Sequence, residues 1–183
     1  MKAIGTQMLQ TERLILRRFV ESDAEAMFQN WASSAETLTY VTWDPHPNVD
    51  VTRNSIRNWV ASYVNPNYYK WAICLKENPE QVIGDISIVA MDKNDSSCEI
   101  GYILGKNYWG RGMMTEALKA VLDFCFTRAG FQKVRARYAS LNPASGRVME
   151  KAGMSYLKTI ANGVERKDYV ADLIYYQISR EDR

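Results

Sequence analysis

The chain has few residues of the kinds that build metal sites and disulfide frameworks. Its 183 residues include one histidine, His46, and three cysteines, Cys74, Cys98 and Cys125. The cysteines form no C-x-x-C pair, and an odd number cannot close a set of disulfides. A zinc site needs several Cys or His ligands, so none is expected. We predict a protein with no metal and with reduced thiols.

The sequence also lacks an excess of charge of one sign and any long apolar run. Its 23 basic and 21 acidic residues leave a formal net charge of +2, too little to indicate nucleic-acid binding. No stretch of about 18 apolar residues occurs, so nothing predicts a membrane span. The first residues have no apolar run typical of a signal peptide. A cytoplasmic protein without nucleic-acid or membrane partners is expected.

What the sequence does contain is typical of a globular protein. A hydrophobic share of 46% and a charged share of 24% are those of a chain that folds around its own core. A length of 183 residues suits one domain. No internal repeat or low-complexity tract is present. We therefore predict a single domain over residues 1–183.

Hydrophobic periodicity predicts a mixed sheet flanked by helices, in the order β-α-α-β-β-β-α-β-α-β-β. Apolar runs bounded by turn formers predict the strands, and apolar residues at helical spacing predict the helices. Short, turn-rich connections favour antiparallel neighbours. The predicted strands are 12–19, 71–76, 81–91, 98–104, 133–140, 155–161 and 169–179. One predicted helix begins near Ser22, and three more cover about 52–64, 112–129 and 142–152. A loop is predicted over 33–51.

Residues 109–117, W-G-R-G-M-M-T-E-A, are the most informative stretch. Gly110 and Gly112 allow a tight turn and a close approach between the backbone and a ligand. The N–H groups that open the following helix have no acceptor within it, and they lie at the positive end of the helix dipole. Such a place suits phosphate or pyrophosphate, and Arg111 adds positive charge. A simple glycine turn with an exposed arginine is an equally good interpretation of the loop alone.

Neither of two common phosphate motifs matches this part of the chain. The dinucleotide fingerprint G-x-G-x-x-G would require glycine where the sequence has Thr115. A P-loop requires four residues between its glycines, whereas three residues separate Gly101 from Gly105. Both interpretations fail on spacing.

Three motifs, taken in this order, resemble the GNAT superfamily of N-acetyltransferases, and specifically its ribosomal-protein (RimJ/RimL-like) branch. They are E-I-G-Y-I-L at 99–104, W-G-R-G-M-M-T-E-A at 109–117, and N-P-A-S-G-R-V-M-E-K-A-G at 142–153. The resemblance covers nearly the whole chain, from T-E-R-L-I-L-R to D-L-I-Y-Y. It implies the GNAT fold, which is α+β (mixed α/β). The fold has a mostly antiparallel sheet of six to seven strands, about four helices, and parallel fourth and fifth strands that splay apart.

The resemblance also implies a reaction. An acetyl group passes directly from acetyl-CoA to a primary amine in a ternary complex, and no metal takes part. The favoured acceptor is a protein N-terminal α-amine of the ribosomal-protein type. The alternatives are a small amine, such as a polyamine, an amino acid or an aminoglycoside, and a non-catalytic CoA-binding regulatory module. A homodimer is compatible with the resemblance.

Residues of the three motifs take cofactor-binding roles through the resemblance. Backbone groups near Ile103 and Leu104 are implied to pair with the pantetheine arm, and the Leu104 N–H to stabilise the thioester oxygen as it gains charge. N–H groups over 111–115 are implied to hold the pyrophosphate. Met114 replaces the usual Gly or Ala of this loop, and a flexible Met can fold away. The complete implied set is Ile103, Leu104, Arg111, Gly112, Met113, Met114, Thr115, Asn142 and Arg147.

Two residues are candidates for proton transfer. Glu99 is the candidate base, and an exposed charge at a strand end is an equally good interpretation. Many family members have a donor tyrosine where this chain has Met149. The ribosomal branch tends to have a serine three residues after the asparagine, and in this chain that residue is Ser145. The resemblance therefore implies that Ser145 is the acid. Its alternative role is to satisfy local backbone groups in the first turn of a helix. Asn142 followed by Pro143 is also a favourable N-cap and N1 pair.

Aromatic residues crowd the region that walls the acceptor side in this family. An aromatic cleft for a peptide or an amine is therefore expected, although core positions are favoured for Trp59 and Tyr63, four apart on a helix. His46 lies between two prolines and is expected to be an exposed surface residue rather than a catalytic one. Asp44 and Glu36 are candidate acceptor contacts. The crowded aromatics are Tyr40, Trp43, Trp59, Tyr63, Tyr68, Tyr69 and Trp71.

Overall fold

A computed structural model describes residues 1–182 and contains one eight-stranded sheet with helices packed on both faces. The strand order is β1-β2-β3-β4-β5-β6-β8-β7, and within the described chain β5 and β6 are the one parallel pair. The strands are β1 (Leu9–Gln10), β2 (Leu14–Arg17), β3 (Lys70–Leu75), β4 (Asn78–Asp92), β5 (Ser97–Leu104), β6 (Lys133–Ala139), β7 (Ser155–Arg166) and β8 (Tyr169–Ser179). The helices are α1 (Ala24–Met27), α2 (Val49–Ser62), α3 (Met113–Phe124) and α4 (Pro143–Lys151). Residues 1–182 include no helix long and apolar enough to cross a membrane.

The structure confirms the predicted mixed, mostly antiparallel fold, its parallel pair and its four helices. The sheet has eight strands rather than six to seven, because Leu9–Gln10 pairs with β2 at the sheet edge. Helix α2 begins at Val49, inside the predicted loop. The cause is Asn48, whose side chain accepts hydrogen bonds from the N–H groups of Asp50 and Val51 at 3.1 and 3.2 Å and so caps the helix.

The long third helix begins and ends at glycine residues. Gly112, with φ of +75°, precedes the first residue of α3. The helix then continues through one wider, π-type turn (Cys125–Ala129) and stops at Gly130, whose φ is +76°. Both φ angles lie in the left-handed region that glycine adopts without steric cost. The two glycines therefore fix where α3 starts, and its start borders the site described below.

Strand β5 contributes side chains to both faces of the sheet, because successive strand residues point to opposite sides. Ile100, Tyr102 and Leu104 pack with the cluster between the sheet and α3. Ile103 packs instead with the cluster beneath α1 and α2. Each large side chain buried in such a cluster contributes about 1.5–3 kcal/mol. The strand is thus held from both sides.

Strands β5 and β6 separate halfway along their length. Their parallel pairing ends at Ile100 and Ala136, while β6 continues to pair with β8 up to its last residue. On the other side of β5, Gly105 donates to the carbonyl of Ile83 at 2.8 Å. Residues of an antiparallel ladder alternate in direction, so Leu104 directs its N–H away from β4 and into the gap. The gap between the two strands is therefore lined by backbone groups without a strand partner.

Candidate active site

Two cavities meet where β5 and β6 separate. The α3 cavity has a volume of about 340 Å³ and borders the starts of α3 and α4. The α2 cavity has a volume of about 580 Å³ and lies between the sheet, the segment before α2 and α2 itself. The residues that line both cavities are Val41, Tyr102, Ile103, Arg137 and Ser145.

The start of α3 presents backbone N–H groups to the α3 cavity. The first hydrogen bond within the helix runs from the N–H of Glu116 to the carbonyl of Gly112, at 3.0 Å. The N–H groups of Met113, Met114 and Thr115 precede it and have no acceptor in the helix. All three residues line the cavity. The side chains of Met113 and Met114 are buried in the core, so Met114 does fold away and the loop stays open to an anion.

A carboxylate in the first turn of α3 braces this loop against β2. Glu116 accepts hydrogen bonds from the Thr11 hydroxyl at 2.5 Å and from the N–H and Nε of Arg13 at 2.9 and 2.7 Å. Arg13 also donates to the carbonyl of Arg111 at 3.0 Å. Burial raises the pKa of Glu116, but the hydrogen bonds from Thr11 and Arg13 outweigh it and leave this pKa below its usual value. The loop that faces the cavity is thus held by charged contacts.

The start of α4 places Ser145 between the two cavities. Asn142 caps the helix by accepting a hydrogen bond from the N–H of Ser145 at 3.4 Å, and Pro143 follows it in the first turn. This confirms the predicted cap. The Ser145 hydroxyl lies 3.0 Å from the hydroxyl of Tyr102. It therefore contacts another side chain, rather than serving only nearby backbone groups.

Two close contacts shape the wall of the α3 cavity. A Cβ at Gly146 would come within 2.6 Å of the ring Cζ of Tyr138, so any larger residue there would force this ring to move. The indole N–H of Trp109 donates to the carbonyl of Leu104 at 2.7 Å and fixes the turn after β5. Both contacts border the gap into which Leu104 directs its N–H.

Two ion pairs form the floor of the α2 cavity. Lys70 lies 2.7 Å from Asp85, and their side chains are 12% and 10% exposed. The Lys70 ammonium also lies 4.1 Å from the ring centre of Trp59, a cation–π contact. Arg137 Nε lies 2.8 Å from Glu99 Oε1, and the Glu99 side chain is 19% exposed. Glu99 is therefore not an exposed strand-end charge, and each of these carboxylates has a cationic partner.

Aromatic residues divide between the core and the cavity walls. Trp59 and Tyr63, for which core positions are predicted, are half-buried and pack against the cluster beneath α2. Trp59 lines the α2 cavity as well. Of the others, Tyr40 and Trp43 line the cavity walls and Tyr69 and Trp71 are buried in the core. Tyr68 is half-buried, and its ring centre lies 5.4 Å from that of Tyr63.

His46 lies in the wall of the α2 cavity. Its Nδ1 is 2.8 Å from the hydroxyl of Thr52 in α2, and its ring centre is 5.0 Å from that of Trp43. Burial lowers the pKa of His46, which keeps the ring neutral near pH 7. The expectation of an exposed residue is therefore wrong, because the proline-containing segment folds onto α2.

Most of the predicted site residues line one or both of the cavities. Ser145 and Ile103 line both cavities, and Glu99 lines the α2 cavity. Arg111 and Arg147 are exposed and are not among the residues that line either cavity. The predicted residues that line the α3 cavity alone are Leu104, Gly112, Met113, Met114, Thr115 and Asn142.

Several residues at the junction are not among those predicted from the sequence. Tyr102 could have been found, since it alternates with Ile100 and Leu104 on one face of a predicted strand. Arg137 and the Lys70–Asp85 pair have no local signature, because their partners lie on other strands. Side-chain contacts between strands thus define the part of the site that sequence motifs do not.

Comparison with known proteins identifies the family. A family model described as an acetyltransferase (GNAT) domain matches residues 13–155. The chain therefore belongs to the GNAT acetyltransferases and is an N-acetyltransferase. A relative from Bacillus licheniformis, named uncharacterized N-acetyltransferase p20, is 26% identical over 176 residues, which cover 96% of this chain and 98% of the relative.

Solved structures agree with this assignment. A GNAT-family acetyltransferase from Bacillus anthracis matches with a TM-score of 0.82 at 25% identity, over 96% of this chain and 99% of that one. A structure of RimL, the ribosomal L7/L12 alpha-N-protein acetyltransferase, in complex with coenzyme A has a TM-score of 0.84 at 18% identity. It covers 97% of this chain and 100% of its own. The second likeness shows the fold.

Proposed function

We propose that this N-acetyltransferase transfers acetyl from acetyl-CoA to a protein N-terminal α-amine. One observation carries the use of acetyl-CoA: the gap between β5 and β6 opens next to the start of α3, where three N–H groups precede the first hydrogen bond of the helix. An extended pantetheine arm can pair with the exposed strand edge while the diphosphate lies at the helix start. Membership of the GNAT family supports this use of the gap.

The chain's backbone groups would hold and polarise the thioester. The N–H groups of Met113, Met114 and Thr115 bind the diphosphate at the positive end of α3. The Leu104 N–H points into the gap and donates to the thioester oxygen as negative charge develops on it. One such donor is worth about 10²–10³ in rate. Holding the amine beside the thioester adds an effect of proximity.

Two side chains would balance the protons of the reaction. The amine nitrogen bonds to the carbonyl carbon, the carbon–sulfur bond breaks, the amine loses a proton and the sulfur gains one. Ser145 gives a proton to the sulfur. Glu99 accepts the amine proton through water, and Arg137, at 2.8 Å, holds its carboxylate in place. Each acid or base contributes about 10²–10⁴-fold.

The paired charges of the α2 cavity favour an N-terminus over a polycation as acceptor. Lys70 neutralises Asp85, and Arg137 neutralises Glu99, so neither carboxylate is free to hold a second ammonium group. The aromatic walls suit the apolar part of a peptide. RimL, described as an alpha-N-protein acetyltransferase of ribosomal L7/L12, also supports this acceptor class.

CoA release from acetyl-CoA, measured with N-terminal peptides, spermidine and other small amines, tests the proposal. We expect turnover on peptide N-termini, with a higher kcat/KM than on any small amine. Turnover on small amines alone would contradict the N-terminal acceptor. Binding of CoA in calorimetry, without turnover on any acceptor, would instead support a regulatory module.

Replacement of the candidate acid tests the mechanism. Ser145→Ala removes the proton donor and should lower kcat by about 100-fold while the affinity for CoA in calorimetry stays the same. Ser62→Ala is the matched control, because Ser62 is also a helical serine, bonded to the carbonyl of Asn58 at 2.7 Å, and lines neither cavity. An unchanged kcat for Ser145→Ala would contradict the assignment.

A further inference from the structure

Tyr102 and Ser145 form a hydroxyl pair at the junction of the two cavities. Their hydroxyl oxygens lie 3.0 Å apart, although the residues are 43 positions apart in the chain. Tyr102 belongs to β5 and Ser145 to the first turn of α4, and both line the α3 and α2 cavities. The pair therefore joins the splayed strand to the helix that carries the candidate acid.

The direction of this hydrogen bond decides whether Ser145 can act on a ligand. A serine hydroxyl has one proton, and if it donates that proton to Tyr102, none is left for the cavity. If Tyr102 donates to the Ser145 oxygen, the serine proton is free to point elsewhere. The Tyr102 hydroxyl is also placed to donate to the Ser145 carbonyl, at 3.0 Å. This carbonyl can accept that bond as well as the N–H four residues later in α4, because a carbonyl oxygen has two lone pairs. A bond shared between the carbonyl and the hydroxyl oxygen of Ser145 still leaves Tyr102 as the donor.

We propose that Tyr102 is a positioning residue that donates its hydroxyl proton to the Ser145 oxygen and thereby aims the serine proton at the leaving sulfur. The inference rests on the proposed function, in which Ser145 protonates that sulfur. Tyr102 keeps its own proton throughout. The proton on the sulfur comes from Ser145, and Ser145 regains one, through water, when Glu99 gives up the proton that it accepted from the amine.

Two further observations support this role for Tyr102. Burial raises the pKa of Tyr102, and the hydrogen bond with Ser145 opposes this shift only in part. The phenol therefore stays protonated, and able to donate, across the physiological range. On α4 itself, Met149 is buried, 1% exposed, and has no proton to donate. The strand thus supplies a phenol that the helix lacks.

A double-mutant cycle on kcat tests the inference with acetyl-CoA and the best peptide acceptor. Tyr102→Phe keeps the ring and removes the donor, so we expect kcat to fall about tenfold, the effect of one hydrogen bond. KM for acetyl-CoA should change less than about twofold, because the ring still fills its place. Since Tyr102 acts through Ser145, the double variant should have the kcat of Ser145→Ala alone.

A matched control separates this role from a loss of stability. Tyr69→Phe removes a buried hydroxyl that contacts the carbonyl of Lys2 and the N–H of Ile4, at 3.1 and 3.3 Å, outside both cavities. Its melting temperature should fall as much as that of Tyr102→Phe, with kcat unchanged.

Three results would overturn the inference while the wild type remains active. They are a wild-type kcat for Tyr102→Phe, a wild-type kcat for Ser145→Ala, and a further tenfold loss when Tyr102→Phe is added to Ser145→Ala. The last would mean that the phenol acts independently of the serine. A wild-type protein without turnover would instead overturn the proposed function, and with it the inference, and is recognised before any variant is made.

Discussion

The two cavities that meet at the β5–β6 gap are built from different parts of the chain. The α3 cavity presents backbone N–H groups at one helix start and one strand edge. The α2 cavity is floored by side-chain pairs that join different strands, Lys70 with Asp85 and Arg137 with Glu99. Backbone groups are the same whatever the side chains, so they suit a ligand that never changes. Side chains can be exchanged without changing the fold, so the ligand of this cavity can be changed by substitution.

Because one cavity presents backbone groups and the other side-chain pairs, substitutions impair the two cavities in different ways. A backbone N–H cannot be removed by ordinary substitution, so the α3 cavity is affected through the conformation of its loop. The ion pairs of the α2 cavity can be broken directly, and the charge left behind is then buried without a partner. Variants on the two sides should therefore affect stability, CoA affinity and acceptor KM in different proportions.

The largest effect on stability is expected from the α2 cavity. Asp85→Ala leaves the Lys70 ammonium largely buried without its carboxylate, and should lower the free energy of unfolding by about 3 kcal/mol. Affinity for CoA should not change, because neither residue lines the α3 cavity. Urea denaturation and calorimetry with CoA measure the two quantities.

Asp44→Ala is the control for this variant. The Asp44 side chain is 95% exposed and lies 3.6 Å from Arg166, so its removal should change the free energy of unfolding by less than about 0.5 kcal/mol. Weaker CoA binding by folded Asp85→Ala would mean that the two cavities are coupled, so that a change in the α2 cavity alters the α3 cavity.

A smaller effect, on the affinity of the α3 cavity for CoA, is expected from Gly112→Ala. With φ of +75° at Gly112, a Cβ costs about 1–2 kcal/mol, and relief of this strain would turn the first N–H groups of α3. We expect the Kd for CoA to rise about tenfold and KM for the acceptor, at saturating acetyl-CoA, to stay the same. Gly153→Ala, at φ of +93° after α4, imposes comparable strain and should leave the Kd unchanged. Equal effects of both variants on the Kd would show that stability alone is measured.

The α3 cavity could be predicted from the sequence because the residues that form it are close together in the chain. Gly112 and the residues after it are consecutive, and Asn142 caps the helix that it precedes. Periodicity also predicts the mixed sheet and seven of its eight strands. The predicted start of α2 is too late, because the two prolines before Asn48 indicate a loop, whereas the cap at Asn48 starts the helix there.

The α2 cavity could not be predicted to the same depth. Lys70 meets Asp85 only when β3 pairs with β4, and Arg137 meets Glu99 only because β6 lies beside β5. His46 is covered by Trp43 and Thr52, which depends on how a proline-containing segment folds back. Such contacts follow from the tertiary fold and leave no spacing in the sequence.

The smallest effect is expected in the pH dependence of stability, and it concerns the loop that borders the α3 cavity. The hydrogen bonds of Thr11 and Arg13 lower the pKa of Glu116 below its usual value despite burial. Because the pKa of Glu116 is lower in the folded protein, its ionised form stabilises the fold. The whole contribution is present at pH values above the pKa of an unfolded glutamate, about 4.3. It is lost as the pH falls through the pKa of Glu116 in the folded protein. Wild type should therefore exceed Glu116→Gln in free energy of unfolding by up to about 1 kcal/mol at pH 7, and the difference should shrink toward pH 3.

Urea denaturation of both proteins from pH 7 to pH 3 measures this difference. Thr11→Val keeps the carboxylate but removes the 2.5 Å hydrogen bond to it, so it should reproduce part of the pH dependence. Because Arg13 also holds the carbonyl of Arg111, CoA affinity should fall in Glu116→Gln, while acceptor KM at saturating acetyl-CoA does not change. A stability difference that stays constant from pH 7 to pH 3 would mean that Glu116 braces the loop by shape rather than by charge, and the cofactor loop would then owe its position to Gly112 and the helix alone.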